Sequence, residues 1–277
     1  MKKLFTILFF AAFALGQIFA QEENEGVEKT HEFPRLRLGV EAGISTFEGK
    51  TVKPAMLREN QSYYPFEDRD FYCGFVLNNR SYKQYYFGVK PEFSLNHNLA
   101  LAAGLRFLFN KDGFVSDKNY FLWKVDETEN SANYVKINNI WQQNFYVGIP
   151  VELKIFTSKS DLFVRQYFKV GAQVNFLAVS HTNIDFNNEN MEKYSRQINS
   201  QIEKPDIFSG YCYIGVGLKI GRMNHPFGSI EIQVPFLVSG KRYSAFSEQS
   251  FPFGLGLQTT FFIPVGKTKL GYTYIDD

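Results

Sequence analysis

The sequence predicts an all-β fold: a transmembrane up-and-down antiparallel β-barrel, with eight strands the preferred count and ten allowed if the C-terminal tail adds a hairpin. Three observations predict it. An apolar leader opens the chain, eight later segments alternate with a period of two, and the connections between them alternate long and short. Composition narrows the classes first. Across 277 residues, 30 Phe and 16 Tyr argue against disorder. A formal charge of +2 lacks the basic excess of nucleic-acid binders, so no nucleic-acid partner is expected. Two cysteines cannot build a disulfide framework or a four-cysteine zinc site.

Lys2 and Lys3 precede an uncharged run, Leu4 to Leu15, and Ala20 stands at a plausible cleavage position. This is the layout of a secretory signal peptide over residues 1–20. The run is short of the ~20 apolar residues of a spanning helix, and no cysteine follows to carry a lipid. Removal of the leader leaves 28 basic against 28 acidic residues. Residues 21–34 read as a periplasmic lead-in. No later stretch could span as a helix. Backbone groups in hydrocarbon must be satisfied internally, so the exported chain is either soluble or a membrane barrel.

From residue 35 each segment has one apolar and one polar face, as a strand between two environments requires. In the first, Leu36, Leu38, Val40, Ala42 and Ile44 oppose Arg35, Arg37, Gly39, Glu41 and Gly43. The second runs from Tyr85 to Leu95 and the third from Leu99 to Asn110. The fourth covers Asn144 to Ile155, the fifth Val164 to Phe176, and the sixth Phe208 to Ile220. Ser229 to Val238 and Phe253 to Ile263 complete the eight. Each reaches the roughly 9–11 residues a tilted membrane strand needs. Long connections at about 48–82, 111–140, 179–206 and 239–252 alternate with short turns at 96–98, 157–161 and 221–228. Segregated loop lengths fit a barrel with one outer and one periplasmic rim, spanning 35–263, with 264–277 as a periplasmic tail. Phe71 to Leu77 is too short to span and reads as a hairpin within the first loop.

Volume decides which face is outside. An eight-stranded interior holds side chains or one small ligand, and the bulky apolar set does not fit there, as a soluble lipocalin-like barrel would require. The glycine-thinned polar set does. It carries Arg35, Arg37, Lys90, Arg106, Lys154, Arg165, Lys169 and Lys219 against Glu41, Glu92, Glu152 and Glu231. On the lipid face at mid-depth each Arg or Lys would cost about 2–4 kcal/mol. Turned inward they form a network that fills the bore, with surplus cations expected near the rims in water.

Asn144-Phe145-Tyr146-Val147-Gly148-Ile149-Pro150-Val151-Glu152-Leu153-Lys154 and Phe253-Gly254-Leu255-Gly256-Leu257, closing at Phe261-Phe262-Ile263-Pro264, carry a resemblance. On these stretches the chain resembles the small outer-membrane β-barrels of Gram-negative bacteria, the PorT-like/OmpX-like group. The resemblance implies residence in the cell outer membrane and contact with outer-membrane lipid and lipopolysaccharide; it leaves open the oligomeric state and whether the chain joins an envelope protein complex.

The chemistry is sparse. His31, His97, His181 and His225 fall where no three converge, so no metal or other cofactor is expected. Ser180 points away from the neighbouring His181 in a strand. Glu67-Asp68-Arg69-Asp70 reads as a solvated loop patch rather than a water-activating carboxylate pair. Export permits a disulfide, but Cys73 falls in a loop and Cys212 on the lipid face. Tyr63, Tyr64, Phe66, Tyr120, Phe121 and Trp123 make the outer loops aromatic; such side chains either contact a partner or fold together as a cap. The expectation is a non-enzymatic barrel whose outer loops bind or scaffold an envelope partner or ligand. The alternatives are an outer-membrane hydrolase of lipid A or peptides using Asp68, Asp70 or His181, a narrow pore, and the soluble barrel.

Overall fold

A computed structural model describes residues 28–58, 71–72, 75–76, 80–115, 120–128, 131–158, 162–222 and 225–275. The leader, the acidic patch 67–70, Cys73 and the aromatics Tyr63, Tyr64 and Phe66 lie outside these residues. In chain order the strands are β1 (Glu28–Thr51), β2 (Leu57–Arg58), β3 (Phe71–Tyr72), β4 (Phe75–Val76), β5 (Arg80–Ser94), β6 (Leu99–Ala103) and β7 (Leu105–Val115). There follow β8 (Phe121–Thr128), β9 (Ser131–Phe156), β10 (Val164–Phe186), β11 (Phe208–Arg222), β12 (His225–Ser239) and β13 (Ser247–Ile275). A 3₁₀ helix (Glu189–Tyr194) and one α-helix, α1 (Ser195–Gln201), lie between β10 and β11.

Eight antiparallel staves close a ring: β1, β5, β6 with β7, β9, β10, β11, β12 and β13, with β13 returning to β1. The third stave is split at Gly104, which packs so closely on the Val89 carbonyl that no side chain fits there. β3 and β4 pair antiparallel as a separate two-stranded sheet, Phe71↔Val76 and Tyr72↔Phe75. Among the described residues no helix is long and apolar enough to cross a membrane.

The ring is inside out relative to a soluble protein. Val151 is 46% exposed on the outside while its neighbour Glu152 is 0% exposed within. Val40, Phe87, Leu105, Val170, Ile214 and Leu257 continue the apolar exterior. Arg37, Glu41, Lys90, Arg106, Lys154 and Glu231 are buried in the lumen. This overturns the soluble-barrel alternative, in which the apolar face would line the interior. Glycine makes the lumen wide enough. Arg106 and Glu41 both register against Gly88, and Glu152 registers against Gly171. A methyl group at Gly171 would sit 2.5 Å from the inward Tyr213 ring.

Three boundaries differ from expectation. The region read as loop two contains β8 and the start of β9, and the third loop contains the end of β10, the 3₁₀ helix and α1. Both strands rise past the bilayer because their pairing partner rises with them, from Tyr167↔Phe156 to Phe186↔Ile137. A register shift between Asp185 and Phe186 changes which parity faces inward, so Ile140 and Ile137 are both buried. At the other end, the lead-in and tail are not loose. Glu28↔Ile275 to Pro34↔Lys269 pair as a two-stranded ribbon that prolongs the seam of the barrel.

The apolar exterior generates a direct prediction. Val151→Arg should destabilise the barrel in lipid vesicles by about 2–4 kcal/mol, measured by urea unfolding, because it puts a guanidinium on the hydrocarbon face.

Candidate functional site

Two constructions fill the barrel. The lower one is ionic. Glu41 accepts from Arg106 through both oxygens, with Nε at 2.6 Å and Nη2 at 3.0 Å, and meets Lys90 at 2.7 Å. Glu152 meets Lys90 at 2.5 Å and Arg106 at 3.2 Å, and accepts from Tyr213 Oη at 2.8 Å. Glu231 holds Lys169, meets Lys154 at 3.2 Å, and accepts from Tyr167 Oη at 2.5 Å. Lys154 bridges onward to Glu92 at 3.1 Å, which also holds Lys219 and meets Arg37 at 3.5 Å. All these side chains are buried. Desolvating this many charges is tolerable only because each meets several partners.

At the short-turn rim the finding departs from expectation. Surplus cations, none of them singled out by the sequence, are expected near the rims in water; Arg37, Arg165 and Lys219 are buried there. Aromatic rings cover them: Arg165 lies 4.3 Å over Phe156 and Lys219 4.4 Å over Phe262. Arg165 also donates to the His97 carbonyl at 2.8 Å. Arg35 remains half-buried, 4.6 Å over Phe93.

The upper construction is a cap assembled from the long connections. Leu57 of β2, Phe121, Trp123 and Val125 of β8, Val135 and Ile137 of β9, Ile198 of α1 and Phe246 share one apolar core. Trp123 Nε1–H donates to Gln201 at 2.8 Å, tying β8 to α1, and the Gln197 amide donates to the Val125 carbonyl at 2.8 Å. Phe121 and Trp123, carried as candidate contacts, are therefore core residues of the cap and present nothing to a partner. Only Tyr120 of the described trio is partly open, with Lys136 4.5 Å over its ring.

Beneath that core, the chain between β12 and β13 dips into the mouth as a strap. Gly240, at φ 78°, takes the left-handed turn that starts it. Ser244 and Ser247 each donate to Asp112 at 2.6 Å, Ala245 N–H donates to Gln142 at 2.9 Å, and Asn144 donates to the Tyr243 carbonyl at 2.9 Å. Tyr243 stacks on Tyr82 at 4.1 Å and lies 5.7 Å from Phe47, which is 5.5 Å from Tyr211. Burial, reinforced by Tyr211, pushes the Tyr243 phenol well above its ordinary pKa. A small void of about 20 Å³, lined by Phe47, Tyr86, Arg106, Gln173 and Tyr211 among others, lies between this aromatic layer and the ionic one. The strap carries no alternation, so its role was invisible in the sequence. Asp112 and Gln142 were the available signal, as polar residues beyond the ends of the segments read as spanning strands.

Of the enzymatic candidates, His181 sits exposed on β10 opposite Gln143. Ser180 instead donates to Asn144 at 2.6 Å. Among the described residues no group of three or more His, Cys, Asp or Glu is placed to hold a metal ion. Cys212 is a free, outward cysteine.

The geometry defines a class: a transmembrane-type eight-stranded barrel, filled by charge and closed at its long-loop end by a folded cap. No protein-family model and no curated protein sequence matches the chain. Among solved structures it is similar to Ail, the attachment invasion locus protein of Yersinia pestis, in complex with the heparin analogue sucrose octasulfate. That match has 11% identity over 83% of this chain and 99% of the other, with a TM-score of 0.32. The outer membrane protein OprG from Pseudomonas aeruginosa matches at 8% identity over 84% and 98%, with a TM-score of 0.33. The N-terminal β-barrel domain of Pseudomonas aeruginosa OprF matches at 8% over 80% and 97%, with a TM-score of 0.28. Likeness of this degree does not extend to a shared ligand.

Two predictions come from the filled bore. Glu152→Gln should cost about 3–5 kcal/mol in unfolding free energy, because it strands Lys90, Lys169 and Arg106 around a neutral amide. In planar bilayers the purified barrel should give no conductance steps, since the ionic layer and the strap each interrupt the axis.

Proposed function

We propose that the chain is a non-enzymatic integral outer-membrane barrel whose capped outer face binds or scaffolds an envelope partner or ligand. The observation that carries this reading is the cap. Four connections build a separate apolar core above the bilayer-facing belt, and a barrel needed only to fill a membrane has no use for one. Exposed polar residues of the 3₁₀ helix and α1, such as Glu189, Lys193 and Arg196, and the edge around Tyr120 supply the outward surface. The apolar belt supports residence in an outer membrane, reached through cleavage of the leader at residues 1–20, and contact with its lipid and lipopolysaccharide. Kinship with the PorT-like group rests on the Asn144 to Lys154 strand pattern.

The test is crosslinking in intact outer membranes, comparing the full chain with a variant in which residues 189–201 are replaced by a short Gly-Ser linker. Both should assemble as heat-modifiable barrels. Adducts formed by the full chain should disappear from the variant. Identical adducts from the two would remove the cap from partner binding.

A further inference from the structure

The outer surface of the barrel carries a feature that its filled lumen does not explain. On β5, and at Leu95 just past it, the outward row Tyr85, Phe87, Val89, Pro91, Phe93 and Leu95 is apolar throughout. Tilted strand of that length rises about 25 Å, the height of a membrane barrel's apolar band. The next outward residue toward the long-loop end is Lys83, and on β7 the one above outward Phe109 is Lys111. Both lysines are exposed. Because Tyr85 registers against Phe109, the two cations stand side by side on neighbouring staves at the upper edge of the band.

Neither is answered by an acid. Thr46 registers against Lys83 and Gln143 against Lys111. Glu48, the outward acid of β1, registers against Ser81, and Asp185 on β10 accepts from Asn139 at 2.8 Å. Among the described residues neither lysine forms an ion pair; Lys111 instead lies 4.8 Å over the Trp141 ring. The rest of the circumference differs. At the seam Lys50 registers against Glu248, and the upper outward residues of β11 and β12, Phe208 and Val238, are apolar.

Beneath the lysines the wall is aromatic. Phe87 lies 5.2 Å from Phe107 and 5.7 Å from Phe109, and Phe145 extends the rings at 4.9 Å from Phe109. The patch crosses three staves about 4.8 Å apart, a width that seats several acyl chains side by side. Lysines at the head-group level attract an anionic lipid, and their phosphate contacts are charge-assisted.

We propose that the outer face of β5, β7 and β9 binds one multiply acylated lipid with a phosphorylated sugar head, of the lipid A type, its phosphate held between Lys83 and Lys111. This deepens the reading of lipopolysaccharide contact and rests on the long-loop end facing the outer leaflet. The cap surface takes no part in it.

The test titrates the full mature chain, folded in maltoside micelles, with bisphosphorylated lipid A and counts retained lipid by native mass spectrometry. One lipid per chain should be retained, ahead of dioleoyl phosphatidylglycerol. Lys83→Gln combined with Lys111→Gln should weaken retention about tenfold. Lys83→Arg with Lys111→Arg should keep it, and Lys50→Gln should leave it unchanged. Should the double Gln variant not fold, the wild-type chain answers alone: dephosphorylating the lipid should weaken its retention by a similar factor. Equal retention of phosphatidylglycerol, or wild-type affinity in a heat-modifiable double Gln variant, overturns the proposal. Fractionation of the chain with the inner membrane would overturn the outer-membrane reading instead, a result separate from the binding assay.

Discussion

The structure depends on where charge can reside. A cylinder of eight staves has two faces and the backbone period forces every second side chain onto each. With hydrocarbon on one side, ionised groups must take the other. Once inside they lose water as well, so they survive only by sharing partners: Glu152 with Lys90, Arg106 and Tyr213, and Glu231 with Lys154, Lys169 and Tyr167. Glycines follow from this. Long cations crossing a narrow lumen need a bare wall to lie against, which is why Gly39 registers with Lys90 and Gly215 with Lys169. A one-residue slip would exchange the two faces completely, so ion pairing also fixes register.

That dependence explains what was legible in the sequence. All eight staves could be read, and so could the inward set from Arg37 to Glu231, because two solvents impose strict alternation. Legibility stopped where the second solvent stopped. Above the bilayer, β8, β9 and β10 pair around an apolar core, and the register shift near Ile137 breaks the parity on which the reading relied. Phe121 and Trp123 advertised an aromatic loop without revealing whether it faced a partner or itself. The strap is harder still. Tyr243 to Ser247 are all buried, yet a peptide held by Asp112, Gln142 and Asn144 needs no periodicity. The pairing of lead-in with tail was illegible for another reason: it spans almost the whole described chain, and no local pattern records a partner so distant.

The two mouths are solved differently. At the long-loop end aromatic rings and hydrogen bonds to Asp112, Gln142 and Asn144 close the axis, using chain that returns into the barrel after β12. At the short-turn end the connections are too brief to fold back, and cations shielded by Phe156 and Phe262 finish the lumen instead. Loop length thus decides the chemistry of each opening. Long loops can bring apolar side chains to a mouth; short ones leave only what the strands themselves present.

Closure links these parts. The ladder between β1 and β13 runs from Glu28↔Ile275 to Thr51↔Ser247, joining the two ends of the described chain. Bringing such distant segments together costs entropy, though each doubling of the intervening length adds only about 0.6 kcal/mol. The ribbon beyond the barrel lengthens the seam where that cost falls. The cap depends on the seam in turn. Leu57 leaves β1's upper end and Phe246 enters β13's, and both join the core that holds Trp123 and Ile198. Until the first and last staves meet, Leu57, Ala245 and Phe246 are not brought together over that core. The outward surface above the membrane is therefore completed by the same event that seals the barrel, and a chain that fails to close presents no finished cap.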